Sequence, residues 1–128
     1  MVELVLVCML LAALAVIMGL QMTRIAEKGR AAEATTYLAT LRSAEVRYRT
    51  DDPGKLYTNL LGELDTEMPA SLRFWGVPAL SAPAMTGVAV FTRNGGTYSG
   101  ETLGIQYGTA AVCGTFTPLQ PLPACTAD

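Results

Sequence analysis

Histidine is absent from the chain, which removes the commonest general base, the commonest transition-metal ligand and every haem-attachment motif of the CxxCH type. Without an imidazole beside them, the Ser, Cys and Lys residues form no nucleophile and base pair. No paired-acid pocket can be picked out either, so the sequence reads as a non-enzyme with no cofactor and no metal site. Basic charge is scarce: nine Lys and Arg stand against eleven Asp and Glu, for a net charge of -2 and a pI near 5.0. Such a balance gives no field for nucleic acid as a primary partner. After Thr86 the only carboxylates are Glu101 and Asp128, too few for a calcium shell. Aromatic residues make up 7% of the chain, no excess that would favour an electron-carrying filament.

Two further absences point the other way. No charge occurs from Leu4 to Thr23, and no proline from Leu4 to Thr50. A helix rises about 1.5 Å per residue, so Leu4 to Thr23 spans about 30 Å, the thickness of a bilayer core, and a helix reaching Thr50 would be about 75 Å long. Glu3 alone precedes the apolar run. A carboxylate beside lipid is costly, and its two readings are a functional charge partner and an acid resting in the headgroup zone. Cys8, among Val5, Leu6, Val7, Met9 and Leu10, reads as a small packing residue.

The chain has 128 residues, leaving room for one small domain beyond the apolar segment. Met1-Val2-Glu3 lacks the positive start of a secretory signal, and Gln21-Met22-Thr23-Arg24 is no small-residue cleavage site. Arg24, Lys28 and Arg30 lie on the C-terminal side of the apolar run, which by the positive-inside rule places the domain in the cytoplasm. Cys113 and Cys125 argue otherwise. In their Pro-rich stretch a bridge would close a loop and add about 3 kcal/mol, and bridged pairs belong to oxidising spaces. A short basic leader, removed after setting the orientation, reconciles the two, so the chain is expected to be a processed form.

From Arg24 onward the pattern is amphipathic. Ala34, Tyr37, Leu41, Ala44 and Tyr48, with Leu38 beside them, form an apolar stripe at helical spacing that must cover a core. Glu27, Lys28, Arg30, Glu33, Arg42, Glu45 and Arg49 are expected on a solvated face, with a Glu45 to Arg49 pair at i,i+4. Asp51-Asp52-Pro53-Gly54 ends the helix. Leu56 to Leu64 is expected as a short helix, and Phe74-Trp75-Gly76-Val77-Pro78 as a loop turn. Strands are expected over Gly87 to Arg93, Thr97 to Ser99, Thr102 to Tyr107 and Ala111 to Thr117, with reversals at Asn94-Gly95-Gly96 and Gly100-Glu101. The fold class is therefore α+β: a long N-terminal helix with an apolar first half, packed by its second half against a small antiparallel sheet. In segments, 1–24 is an assembly or transmembrane helix and 25–50 its amphipathic continuation. A connecting region occupies 51–85, and the sheet with its Cys-bounded loop occupies 86–128.

Taken together, Val2-Glu3-Leu4 at an apolar start, the long helix, the variable connection, the antiparallel sheet and the cysteine-bounded terminal loop resemble type IV pilins and pilin-like proteins. The resemblance implies a structural subunit that polymerises through its N-terminal helix into a cell-surface pilus, serving adhesion or motility, with an inner-membrane pool before assembly. Its implied partners are further copies of itself, an inner-membrane assembly machinery and, before processing, a leader peptidase. Glu3 would match the family's glutamate that pairs with a neighbouring subunit's terminal amine. Leu4, Val7, Leu11, Leu14 and Gly19 would pack the filament core, and Cys113 with Cys125 would match the family's terminal disulfide. Glu3 stands third here where the family's glutamate stands fifth. No proline lies near Leu20 to Met22, where many members of the family have one; Gly19, a weaker breaker, is expected to supply that flexibility. The alternatives are a pseudopilin of a type II secretion machine, suggested by the Phe74 to Pro78 turn, and a monomeric membrane-anchored binding module.

Overall fold

The computed structural model describes residues 2–51, 54, 56–67, 72–81 and 86–126, with the side chain of Leu20 excepted. One helix, α1, runs unbroken over Val2–Asp51, as the lack of proline allows and as the Asp51 to Gly54 breaker dictates. From Val2 to Ala26 its described side chains are all exposed. Burial starts at Glu27 and continues through Ala31, Ala34, Leu38 and Leu41 in alternating four- and three-residue steps, ending at the adjacent Ala44 and Glu45.

Four antiparallel strands follow: β1 (Ala79–Leu80), β2 (Val88–Thr92), β3 (Thr102–Gln106) and β4 (Val112–Gly114), hydrogen-bonded in the order β1-β2-β3-β4. The meander lays one face on the second half of α1, so the α+β arrangement inferred from the sequence is present. Leu38 and Leu41 meet Phe91, Leu103, Tyr107 and Phe116 in the core. Trp75 fills its centre, fully buried, with ring centroids 5.2 Å from Phe116 and 6.5 Å from Phe91.

Several local expectations are corrected. Thr97 to Ser99 is not a strand but part of the long turn joining β2 to β3. Gly95, Gly96 and Gly100 all have positive φ (68°, 77° and 86°), and the span between them is too short to pair with anything. The fourth strand is instead Ala79–Leu80, within the region expected as connection only. Leu56 to Leu64 yields only a 3-10 turn at Leu61–Glu63. Its backbone donors go to side chains, Thr58 N to Glu45 Oε2 (3.1 Å) and Leu60 N to Thr58 Oγ1 (3.0 Å), which competes with helix. Phe74 to Pro78 is more than a loop turn, since Gly76 N donates to Thr92 O and Asn94 N to Phe74 O (both 2.9 Å).

Cys113 and Cys125 form a disulfide with Cα atoms 5.0 Å apart. Gly114 N donates to Pro123 O (2.9 Å) and Gln106 Nε2 to Thr126 O (3.1 Å), so the C-terminal segment covers the outer edge of β4. Gly104 makes room for the bridge, and Gly114 for the close approach of β4 to β3. A Cβ on Gly104 would lie 2.8 Å from the Cys125 sulfur, and one on Gly114, at φ +134°, 2.3 Å from Thr102 O.

Candidate assembly site

The expected assembly residues all stand on the uncovered half of α1. Glu3 lies in its first turn, exposed, where a carboxylate complements the positive end of the helix. Leu4 and Leu11 are 71% and 61% exposed, and Val7 and Leu14 more than half. Apart from the helix's own backbone nearby, nothing lies within 4 Å of where a Cβ on Gly19 would sit, and Cys8 is exposed and unbridged. Covering each Leu or Val side chain is worth about 1.5–3 kcal/mol. A face of this extent, far beyond the few hundred Å² that soluble monomers expose, has to be covered by lipid or protein. By length and composition α1 is apolar enough to cross a membrane.

What holds the domain to the helix was not legible as a site in the sequence. Glu27, expected in solvent, is buried against Arg93, whose side chain is 2% exposed. Arg93 Nη2 donates to Glu27 Oε1 and Oε2 (both 3.2 Å), Nε to Oε2 (3.3 Å), and Nη1 to Phe74 O (2.6 Å) and Asn94 O (2.9 Å). The guanidinium also lies 5.1 Å from the Phe74 ring centroid and 5.8 Å from that of Trp75. Arg30 pairs with Glu27 from the helix side and stacks at 4.2 Å over Phe74, while Trp75 Nε1 donates to Arg30 O (3.1 Å). The clamp thus sits one turn beyond the apolar segment and fixes the end of β2, the 72–76 segment and the helix to one another.

A second buried carboxylate lies toward the far end of the interface. Glu45, also expected in solvent and paired with Arg49, is fully buried. Its Oε2 accepts from Thr58 N, whereas Oε1 and the Tyr107 hydroxyl make no hydrogen bond. Burial pushes the Glu45 carboxyl above its ordinary value of 4.5, and the charge of Glu63 adds to the rise, while the hydrogen bond from Thr58 N opposes it. Burial first, then the charge of Glu45, raises the Tyr107 phenol, with Tyr57 adding to it. A carboxyl whose folded pKa is raised contributes stability that is complete below about pH 4.5 and lost as pH rises through the folded value. Glu45→Gln keeps the acceptor for Thr58 N and adds a donor toward Tyr107. It should raise stability near pH 8 by about 1 kcal/mol and flatten the pH profile. Urea unfolding followed through Trp75, the sole tryptophan, at pH 4, 6 and 8 measures both effects.

Glu27 and Glu45 did leave one signal. They continue the spacing of Ala31, Ala34, Leu38 and Leu41 at either end, which places them on the buried stripe whatever their charge. Following apolar residues alone moves the stripe toward Tyr37 and Tyr48, which are half-buried at its flank. Among the described residues no group of three or more His, Cys, Asp or Glu is placed to hold a metal.

Comparison with protein-family models, with curated proteins and with solved structures finds no match to this chain.

Proposed function

We propose that this chain is the structural subunit of a type IV pilus-like filament, polymerising through its N-terminal helix, with an inner-membrane pool before assembly. The observation that carries the reading is a helix half, Leu4 to Thr23, left uncovered yet continuous with the half that bears the domain core. One rigid element then serves two tasks, holding a folded domain outside and offering an apolar surface to lipid first and to neighbouring copies afterwards. Between lipid and a neighbour the hydrophobic gain is small, so assembly relies on packing, on pairing of Glu3 and on a motor outside this chain. Ala12, Ala13, Ala15 and Gly19 allow close approach of helices. The disulfide supports a location outside the reducing cytosol.

Electron microscopy of material sheared from cells that express the protein, with mass spectrometry to identify its subunit, tests the proposal. Thin helical filaments built from this chain are expected. Recovery only as single copies in the membrane fraction, dispersed in detergent, would overturn it in favour of an anchored binding module. Short periplasmic filaments dependent on a secretion machine would indicate the pseudopilin alternative.

A further inference from the structure

The β2–β3 turn overhangs the helix where the apolar segment ends. Ile17, Gln21, Thr23 and Arg24 from α1 and Tyr98 from the turn line an open notch of about 450 Å³. Tyr98 is fixed there by an edge-on contact with Phe116, centroids 5.7 Å apart. The turn from Asn94 to Gly100 carries no charge, and Arg24 is exposed. Glu27, one turn farther along the helix, is engaged by Arg93 and Arg30, and Glu101, just after the turn, by the backbone N–H and hydroxyl of Thr117 (2.8 and 2.7 Å). Among the described residues Arg24 has no ion pair, so the notch joins an aromatic roof to a cationic floor.

We propose that this notch seats a phospholipid headgroup, with its phosphate on Arg24 and Tyr98 at the interface, so that the domain rests on the bilayer in a fixed orientation. The proposal rests on the membrane-inserted pool described above. Once Leu4 to Thr23 fills the hydrocarbon core, Arg24 can only stand at headgroup level, and the Tyr98 turn beside it shares that depth. Arginine forks onto phosphate oxygens, and tyrosine favours the bilayer boundary, where one end is apolar and the other wet. A second copy of the chain, the other candidate occupant, would have to match the same exposed cation.

The full chain, in a Cys8→Ala background, is labelled with a nitroxide at Thr97→Cys or, as a control, at Ser43→Cys, about 28 Å farther along the helix than Arg24. It is inserted into vesicles of phosphatidylethanolamine and phosphatidylglycerol, and flotation reports insertion separately. At low protein-to-lipid ratio the Thr97 label should lose most of its relaxation by an aqueous nickel complex while the Ser43 label keeps it, and Arg24→Gln should restore access at Thr97. A chain that floats with the Thr97 label fully aqueous overturns the headgroup contact alone. Protection that appears only at high protein-to-lipid ratio overturns it in favour of a second copy, and no effect of Arg24→Gln removes the phosphate contact. A chain that does not float overturns the membrane pool and this proposal with it.

Discussion

Arg93→Ala should unfold the domain, or bring it to the edge of unfolding, while the apolar half of the helix stays helical. The substitution leaves Glu27 in a buried site with Arg30 as its remaining cation and strips the Phe74 and Asn94 carbonyls of their charged donor. Removing one partner of a buried ion pair costs about 3–5 kcal/mol, and small domains have about 5–15 kcal/mol in all. The Trp75 unfolding midpoint in urea should fall by more than half, if a folded baseline survives. Arg93→Lys should fall between, because an ammonium keeps the charge but cannot bind both Glu27 oxygens and both carbonyls in one plane.

The double variant Glu27→Met with Arg93→Met separates the charge from the carbonyls. Replacing both members of a buried pair by apolar side chains removes the stranded charge, so the double variant should be more stable than Arg93→Ala. Phe74 O keeps the Asn94 N–H as a donor, but the Asn94 carbonyl loses its own, which costs about 1–3 kcal/mol if water cannot reach it, so the double variant should stay below the parent. A double variant no better than Arg93→Ala would mean that the carbonyl contacts, and not the ion pair, hold the clamp. In either case Trp75 reports on the affected core directly, since its indole donates to Arg30 O on the same turn of helix.

The long helix and the sheet behind it could be read from the sequence because each rests on a repeating local signal. Absence of proline, the Asp51 to Gly54 stop and the β-prone apolar run Val88 to Thr92 act over a few residues and need no partner. The clamp could not be read so directly. Glu27 and Arg93 are 66 residues apart, and nothing local marks either as buried; a charge on a helix is ordinarily solvated. Trp75 was hidden for the same reason, since a Trp-Gly turn before a Val-Pro step looks like any surface loop until the sheet closes over it. The turn at Thr97 to Ser99 failed for the opposite reason: β-prone residues suggested a strand, but the glycines on both sides hold backbone angles that only a turn uses. The proposed assembly residues belong to a third kind. Glu3 and the Leu4 to Leu14 face are plain in the sequence and plain in the fold, yet a single chain has nothing to set against them, so their partners have to be tested.

Glu3→Ala should leave the protein folded and membrane-inserted while abolishing most of its assembly. Glu3 lies some 24 residues before the clamp on a continuous helix, about 36 Å from it, so the urea profile of Trp75 and the flotation of the chain with vesicles should not change. In a filament the apolar halves form a dry core, and there a carboxylate without a partner costs several kcal/mol. In the proposed filament that cost would reject every axial register that leaves Glu3 unpaired, so the same residue would both stabilise one arrangement and exclude its neighbours. Under this proposal its removal would strand the opposing cation in the same dry core, at about 3–5 kcal/mol, which is more than a hundredfold in the association constant. Glu3→Gln tells charge from hydrogen bonding: an amide can still accept a hydrogen bond but cannot neutralise an ammonium, so it should assemble little better than Ala. Filament yield measured by shearing and microscopy, against the total membrane pool, reads the effect. Normal yield from Glu3→Ala, with the pool unchanged, would show that Glu3 is an interfacial acid and that packing of the apolar face alone sets the register.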